Sequence, residues 1–204
     1  SDSIAEAYNH KFFNQNTNLY GTEEPYQTYQ LLALSFDLVP DERRKDVLKT
    51  IIDDIQKNRN GHLNTGIIGT KYLWPVLVNS GHDDLAYKVA TKTAYPGYGY
   101  WLENGATTLW EKWSGEASHN HQMFGSVDEF FYKYLAGLRA PTDNGTTRGY
   151  KHIRIKPFVP QDLSSVEASL ETVSGKVSSG WQNHEENFKL QVTIPANTTG
   201  EICV

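Results

Sequence analysis

The chain has 204 residues, of which 38% are hydrophobic and 12% aromatic, so it is long enough to bury a sizeable core. Its formal net charge is −5 and no run of lysine and arginine interrupts the acidic balance, which argues against a nucleic-acid partner. No apolar stretch reaches the roughly 18 residues that a membrane span needs. The single Cys203 excludes an internal disulfide and a metal site made of several cysteines.

The first part of the chain, up to about residue 138, shows apolar residues at helical spacing. About six helices are expected there. They are predicted over 4–13, over 26–36, from a cap at Asp41 to Ile55, over 67–78 with Gly81 as the stop, over 85–93 with Asp83 and Asp84 in the first turn, and from a capping box at 126–129.

A long irregular segment, residues 95–125, separates two of these helices. It holds Glu111, three of the five tryptophans and two of the seven histidines. Loops longer than about 15 residues without structure of their own are usually functional. The sequence therefore predicts the functional site in this segment.

The second part of the chain changes from helical spacing to alternation. Residues 140–145 form a turn-rich linker, after which apolar residues alternate with polar ones in 152–155, 166–170 and 188–194. Prolines and glycines bound these runs. Residues 150–204 are therefore expected to form a small module of about five or six antiparallel strands.

Glu111 stands between Trp110 and Trp113, close to Trp101 and to His119 and His121. Aromatic rings stack on the apolar face of a sugar, and a carboxylate can act as acid or base at the anomeric carbon, so this setting indicates a carbohydrate site. A glutamate taken alone is more often an ion-paired surface residue.

Two of these assignments stay open on the sequence alone. Trp101 and Trp110 fit a core role as well as a sugar platform. The two histidines could offer a metal two ligands, but no third ligand is evident, so neither a metal nor a cofactor is predicted.

Several motifs follow one another in an order that resembles the C-terminal part of the bacterial α-L-rhamnosidases, and the resemblance covers nearly the whole chain. They are Gly66-Ile67-Ile68-Gly69-Thr70, Tyr95-Pro96-Gly97-Tyr98-Gly99-Tyr100, Gly105-Ala106-Thr107-Thr108-Leu109-Trp110-Glu111, Asn120-His121, Gly125-Ser126-Val127, Leu135-Ala136-Gly137-Leu138 and Lys151-His152-Ile153-Arg154-Ile155-Lys156-Pro157.

The resemblance implies part of an (α/α)6 barrel, an α/α toroid, over residues 1–138, followed by an antiparallel β-sandwich over 139–204. It implies hydrolysis of terminal α-L-rhamnosyl linkages with inversion, on rhamnosylated oligosaccharides or glycosides. Glu111 matches the family's general base and His121 a substrate-binding histidine. We expect Trp101, Trp110 and Trp113 to bind the sugar together with His121.

One part of the family pattern has no match here. The general acid of the family lies upstream in an acidic, arginine-containing motif, and about six helices make only half of a twelve-helix barrel. We therefore expect a fragment that is inactive alone and that pairs with the N-terminal half of the same polypeptide. The candidate acids before Glu111 are all expected at helix starts or on charged helix faces: Glu23, Glu24, Asp53, Asp54, Asp83 and Asp84.

Two other function classes remain open. Another α/α-toroid glycosidase, or a polysaccharide lyase, would share the helical architecture, although a lyase needs a cluster of Tyr, His or Arg side chains around a uronate. A non-catalytic carbohydrate-binding module would bind sugar through the same tryptophans. The compartment, whether cytoplasmic, periplasmic or extracellular, also stays open.

Overall fold

The computed structural model describes residues 2–21, 26–140, 149–184 and 187–204. Glu23, Glu24 and residues 141–145 of the predicted linker lie outside the described residues. The chain divides into two compact units, Ser1–Val127 and Asp128–Val204. The predicted division of functional domains between residues 138 and 139 stays a prediction.

The first unit is built from helices whose apolar faces pack together. α2 packs against α3 and α4, and α4 packs against α5. The apolar residues that recur at helical spacing are the buried ones, among them Leu31, Val47, Ile51 and Leu77. The helices are α1 (Asp2–Phe12), α2 (Gln27–Ser35), α3 (Arg44–Asp53), α4 (Thr70–Asn79), α5 (Asp83–Ala90) and α6 (Tyr98–Glu103), and α7 (Ser126–Phe130) crosses the division between the units.

The start of α3 differs from the prediction. A 3-10 turn, Asp41–Arg43, precedes the α-helix, which begins at Arg44 without a side-chain cap. The predicted Asp41 cap is therefore wrong. At its other end α3 continues into the π-helical segment Asp54–Asn58, whose first residue is buried.

The end of α4 confirms the predicted stop at Gly81. This glycine has a φ of +79°, and its N–H donates to the Val78 carbonyl at 3.0 Å. The next N–H, that of His82, donates to the Leu77 carbonyl at 2.9 Å. The two bonds together are a Schellman ending, which needs a left-handed residue at this position.

A small hairpin in the first unit leaves no clear pattern in the sequence. Strands β1 (Phe13–Asn14) and β2 (Leu19–Tyr20) are antiparallel and only two residues long each. The side chain of Gln30 secures β2 to α2, because its Oε1 accepts from the Tyr20 N–H at 2.8 Å and its Nε2 donates to the Tyr20 carbonyl at 3.1 Å. A side chain of α2 thus binds both backbone groups of Tyr20 and holds the hairpin against the helix.

The second unit contains two three-stranded sheets. The strands are β3 (Leu138–Arg139), β4 (His152–Ile155), β5 (Ser165–Thr172), β6 (Gly175–His184), β7 (Asn187–Thr193) and β8 (Thr199–Ile202). One sheet has the order β3-β4-β8 and the other β5-β6-β7. Neighbouring strands are antiparallel except for β4 and β8, which pair in parallel with His152 opposite Thr199.

The two sheets share one core, as a sandwich does. Alternate residues of β6, Val177 and Trp181, are buried between polar ones, and the Trp181 indole N–H donates to the Leu135 carbonyl at 2.7 Å. The alternation predicted for 152–155 and 166–170 is confirmed in β4 and β5, where every second residue is the less exposed one. The core residues are Ala136, Leu138, Ile153, Ile155 and Val177, against which Val166, Ala168, Leu170, Leu190, Val192 and Ile194 pack.

Among the described helices, none has the length and apolar character that crossing a bilayer requires.

We expect Tyr20 to make the free energy of unfolding fall as the pH rises in the alkaline range. Burial raises the pKa of Tyr20 to about 12, with a smaller contribution from Tyr8. A tyrosine in the unfolded chain titrates near pH ~10, so the neutral hydroxyl stabilises the fold below that value, and its contribution is lost between about pH 10 and 12. The free energy of unfolding in urea should therefore fall more steeply over this range in the wild type than in Tyr20→Phe.

The matched control is Tyr29→Phe, because Tyr29 is an exposed tyrosine of the same unit. It should follow the wild type. Equal slopes for wild type and Tyr20→Phe would contradict the prediction.

Candidate active site

The segment 95–125 has more local structure than the sequence indicates. It contains α6 and the 3-10 helix Gln122–Phe124. The prediction missed α6 because it is six residues long and carries Gly99 in its first turn. That glycine is required by close packing, since a Cβ there would lie 2.7 Å from the Lys92 carbonyl oxygen. α6 carries Trp101, which is buried in the aromatic cluster described below.

Glu111 and His121 lie on two segments that run side by side. The Glu111 N–H donates to the Ser118 carbonyl at 2.8 Å, and the His121 N–H donates to the Leu109 carbonyl at 2.9 Å. The Thr108 hydroxyl adds a bond to the His119 carbonyl. We call residues 108–121 the Glu111 hairpin. The pairing explains how residues ten positions apart reach the same site.

A cluster of aromatic rings forms the floor under the Glu111 hairpin. Trp101 is 2% exposed and Trp110 is 7% exposed. Trp101 stacks on Trp113 at a centroid distance of 4.5 Å and meets Phe124 edge-on at 5.5 Å. The cluster is therefore a packed satellite core.

Trp110 is covered on one face by a histidine. The His119 ring stacks on Trp110 at 4.4 Å and 13°. Its Nε2–H donates to the Gly115 carbonyl at 2.6 Å, because a carbonyl can only accept. His119 thus fixes the turn of the hairpin.

Hydrogen bonds fix the ring of Trp113 in one orientation. Its indole N–H donates to the Thr65 carbonyl at 3.0 Å, and its own carbonyl accepts from the Trp101 indole N–H at 3.0 Å. The Tyr98 hydroxyl secures the neighbouring 3-10 turn by donating to the Phe124 carbonyl at 2.7 Å. Both indole N–H groups are satisfied, so the rings are held by direction as well as by packing.

The Glu111 carboxylate opens into a shallow cavity of about 430 Å³. One carboxylate oxygen, Oε2, accepts from the Ser118 N–H at 3.2 Å. No lysine or arginine nitrogen among the described residues lies within 4.0 Å of this carboxylate, since Lys112 pairs instead with Glu116 at 3.9 Å. The cavity is lined by Gly66, Ile67, Tyr95, Glu111, Lys112, Trp113, Ser114 and Phe124.

Of the predicted site residues, the structure brings Glu111 and Trp113 together in this cavity. His121 is half-buried, on the neighbouring segment, immediately before the 3-10 turn. Trp101 and Trp110 lie in the ring cluster instead, and direct contact of either ring with a sugar stays a prediction. Six of the eight lining residues were not assigned to the site from the sequence, although the motifs at 66–70 and 95–100 contain three of them. The six are Gly66, Ile67, Tyr95, Lys112, Ser114 and Phe124.

None of the other described acids lines this cavity. Hydrogen bonds from Lys49 and Lys57 lower the pKa of Asp53, and Asp54 pairs with Arg59 at 2.9 Å. Asp83 and Asp84 occupy the first turn of α5. No group of three or more His, Cys, Asp or Glu side chains in the described part of the chain could hold a metal ion.

A larger cavity of about 680 Å³ lies among α2, α3 and α4, lined in part by Arg44, Leu48 and Tyr72. It shares no lining residue with the cavity at Glu111. We place the site at the smaller cavity. There, a carboxylate with no described lysine or arginine nitrogen within 4.0 Å lies beside a tryptophan that hydrogen bonds fix in one orientation.

Comparison with known families gives two matches. Residues 1–135 match the family described as the bacterial alpha-L-rhamnosidase 6 hairpin glycosidase domain. Residues 137–204 match the bacterial alpha-L-rhamnosidase C-terminal domain. The resemblance stated from the motifs is confirmed.

Individual relatives agree. An alpha-L-rhamnosidase of Formosa agariphila is 36% identical over 98% of this chain, which covers 22% of that relative. The structure of alpha-L-rhamnosidase from Dictyoglumus thermophilum is 40% identical with a TM-score of 0.89, over 98% of this chain and 22% of the other. The Streptomyces avermitilis alpha-L-rhamnosidase complexed with L-rhamnose is 32% identical with a TM-score of 0.87, over 98% and 20%.

These likenesses confirm the predicted fold class, part of an (α/α)6 barrel followed by a β-sandwich. The chain spans about a fifth of the length of the relatives it matches and corresponds to a C-terminal fragment of them.

The turn of the Glu111 hairpin should not accept a side chain at Gly115. A Cβ there would lie 2.6 Å from Cζ3 of Trp110, and the residue has a φ of +80°. The left-handed backbone costs alanine about 1 kcal/mol and overpacking costs about 1–3 kcal/mol more. Gly115→Ala should therefore lower the free energy of unfolding by about 2–4 kcal/mol, measured by urea titration.

Gly105→Ala separates the two causes. Gly105 has a φ of +78°, and a Cβ at this position would meet no described atom within 4 Å, so this variant should lose only the backbone contribution of about 1 kcal/mol. Equal losses in the two variants would show that Trp110 does not restrict the turn.

Proposed function

Because the chain belongs to the bacterial alpha-L-rhamnosidase family, we propose that it supplies the general-base side of an inverting α-L-rhamnosidase site, with Glu111 as the base. The observation that carries the proposal is Glu111, which lines an open cavity beside Trp113 and has no lysine or arginine nitrogen of the described residues within 4.0 Å of its carboxylate. A base needs free lone pairs directed at its proton donor, and an ion pair would occupy them.

Inversion assigns one task to this carboxylate. It takes a proton from a water molecule as the oxygen of that water attacks the anomeric carbon on the face opposite the leaving group. The second carboxyl group protonates the glycosidic oxygen, at roughly 6.5–9.5 Å from the base, which leaves room for the water. The bond from the Ser118 N–H to Oε2 holds one oxygen of Glu111 in place and leaves Oε1 for the water.

The apolar wall of the cavity suits a 6-deoxy sugar. Rhamnose carries a methyl group where most hexoses carry a hydroxymethyl group, and a methyl group is best placed against apolar surface. Ile67, Trp113 and Phe124 offer such a surface in the same cavity as the carboxylate. The Streptomyces avermitilis relative has been seen with L-rhamnose, which supports the choice of sugar.

The remaining predicted site residues take two roles in the proposal. His121 binds a sugar hydroxyl from the segment beside Glu111. Trp113 lines the sugar-binding cavity, whereas the buried Trp101 and Trp110 act from below by keeping the hairpin and Trp113 in place.

The general acid is proposed to come from a part of the enzyme outside this chain. None of the other described acids lines the cavity at Glu111, and relatives are about five times as long. The partner of this chain is then the N-terminal half of the same polypeptide, and the substrate is a rhamnosylated oligosaccharide or glycoside. The chain without that half is expected to be inactive.

Glu111→Gln in the full-length polypeptide should abolish turnover while the protein stays folded. The amide cannot accept the proton of the attacking water, so hydrolysis of an aryl α-L-rhamnoside should fall about a thousandfold or more. NMR of the product should show that the wild type first releases the β-anomer of rhamnose.

The matched control is Glu116→Gln, an exposed carboxylate in the same hairpin turn, which should keep wild-type turnover. Absence of hydrolysis by a folded wild type would reject the proposed activity, and release of the α-anomer would reject the inverting role. Rhamnose binding that is equally tight in Glu111→Gln, without hydrolysis by the wild type, would point to a carbohydrate-binding module.

His121→Ala should weaken substrate binding. Loss of a hydrogen bond to a sugar hydroxyl costs about 1 kcal/mol, so KM should rise about five- to tenfold, with a smaller change in kcat. Steady-state kinetics on the same aryl rhamnoside measure both. His10→Ala, at an exposed position in α1, is the control, and an unchanged KM in His121→Ala would contradict the assignment.

A further inference from the structure

A buried carboxylate, with a half-exposed arginine as its partner, lies next to the segment that supports Trp113. Asp54, the first residue of the π-helical segment, is 1% exposed. Its Oδ2 accepts from Arg59 Nε at 2.9 Å and from Gln27 Nε2 at 2.8 Å, and its Oδ1 accepts from Asn58 Nδ2 at 3.3 Å. A carboxylate this deep is tolerated only because several donors surround it.

The two strongest donors to Asp54 also hold Asn64. Gln27 is fully buried and accepts the Asn64 backbone N–H through its Oε1 at 2.7 Å. With the Asn64 amide oriented so that its oxygen faces the guanidinium, that oxygen accepts from Arg59 Nε at 3.2 Å and Nη2 at 2.6 Å. Asn64 is thus fixed at both its backbone and its side chain.

Thr65, the next residue, contacts the site directly. Its carbonyl accepts the Trp113 indole N–H at 3.0 Å. Its hydroxyl bonds the Thr70 hydroxyl at 2.8 Å, which in turn donates to the Gly66 carbonyl at 2.9 Å. These bonds on both sides of the Thr65 carbonyl hold it in one position.

We propose that Asp54 is a positioning residue for the Glu111 hairpin. Through Gln27, Arg59 and Asn64 it fixes the Thr65 carbonyl, and that carbonyl sets the orientation of Trp113 in the cavity. The inference rests on the proposed role of Glu111 for its catalytic consequence.

The chemistry of the Asp54 carboxylate and its donors favours this role over plain stabilisation. The Arg59 side chain stays 36% exposed while Asp54 is buried, so solvent screening weakens the pair and desolvation of the carboxylate offsets much of the Coulomb attraction; the pair therefore adds little net stability. What charged hydrogen bonds provide is direction.

The first test is hydrogen exchange, followed by mass spectrometry, on the full-length polypeptide. Asp54→Asn keeps the shape of the side chain but removes its charge and one acceptor position. Exchange should become about tenfold faster both in residues 59–66 and in residues 109–121. The matched control is Asp53→Asn, the preceding residue, which lies on the surface and bonds Lys49 and Lys57; it should leave both segments unchanged.

A double-mutant cycle separates positioning from general stabilisation. Trp113→Phe removes the indole N–H group that reaches Thr65, together with the five-membered ring that carries it, and keeps a six-membered aromatic ring at this position. In that background Asp54→Asn should still speed exchange in 59–66 but add nothing in 109–121, because the link is already cut. Equal additional exchange in 109–121 with and without the Trp113 N–H group would overturn the proposal.

Kinetics provide the catalytic readout. Asp54→Asn should lower kcat on an aryl α-L-rhamnoside about ten- to a hundredfold with little change in KM, since misplacing a reactive group affects the chemical step. In the Trp113→Phe background this further loss should disappear, whereas independent losses that multiply would overturn the proposal. If the wild type hydrolyses no rhamnoside, the proposed function fails, and the exchange cycle still decides the positioning role.

Asn64→Ala is the second variant should Asp54→Asn not fold. It leaves the Asp54–Arg59 pair and the Gln27 bond to the backbone intact and removes only the acceptor that Asn64 offers to Arg59. It should give the same pattern of exchange at smaller size. Unchanged exchange in 109–121 would count against the proposal.

Discussion

The hydrogen bond from the Trp113 indole N–H to the Thr65 carbonyl joins two segments that lie 48 residues apart. Such a bond adds only about 1 kcal/mol to stability, so its importance is directional. It determines which edge of the Trp113 ring faces the cavity, and the stack on Trp101 then fixes the tilt. Together, the hydrogen bond to Thr65 and the stack on Trp101 determine the shape of the cavity wall at Trp113.

The aromatic residues of this region serve as core and as site at once. Trp101 and Phe124 fill the interior under the Glu111 hairpin, while Trp113 belongs both to that packing and to the cavity wall. Tightly packed rings have little freedom to move, and a wall made from them is therefore preorganised for its ligand. The same arrangement explains why spacing alone could not separate sugar platforms from core tryptophans.

Periodicity predicts the parts of the fold that bury long apolar faces. Val47 and Ile51 recur at helical spacing and are buried in α3, and the alternation in β4 places Ile153 and Ile155 in the sandwich core. The features that were missed depend on few residues. The hairpin of β1 and β2 has two-residue strands, and α6 has a glycine where a helix former is usual.

The site divides in the same way. Glu111 and Trp113 are close in the chain, so their neighbourhood could be predicted from local pattern. The Thr65 carbonyl and the pair of buried Asp54 and half-exposed Arg59 reach the site only through long-range hydrogen bonds. Such bonds depend on backbone atoms and single polar residues, which leave no repeating signal in a sequence.

The parallel pairing of β4 with β8 affects how the second unit can fold while the chain is being synthesised. His152 and Thr199 lie side by side although 47 residues separate them. During translation β4 emerges well before its neighbour, and until then one edge of it exposes unpaired N–H and C=O groups. Because the closing contact is so distant in the chain, this sheet is expected to be the slow step in folding and the stage most open to aggregation. A nascent chain that stalls before Thr199 would leave that edge free to pair with another molecule.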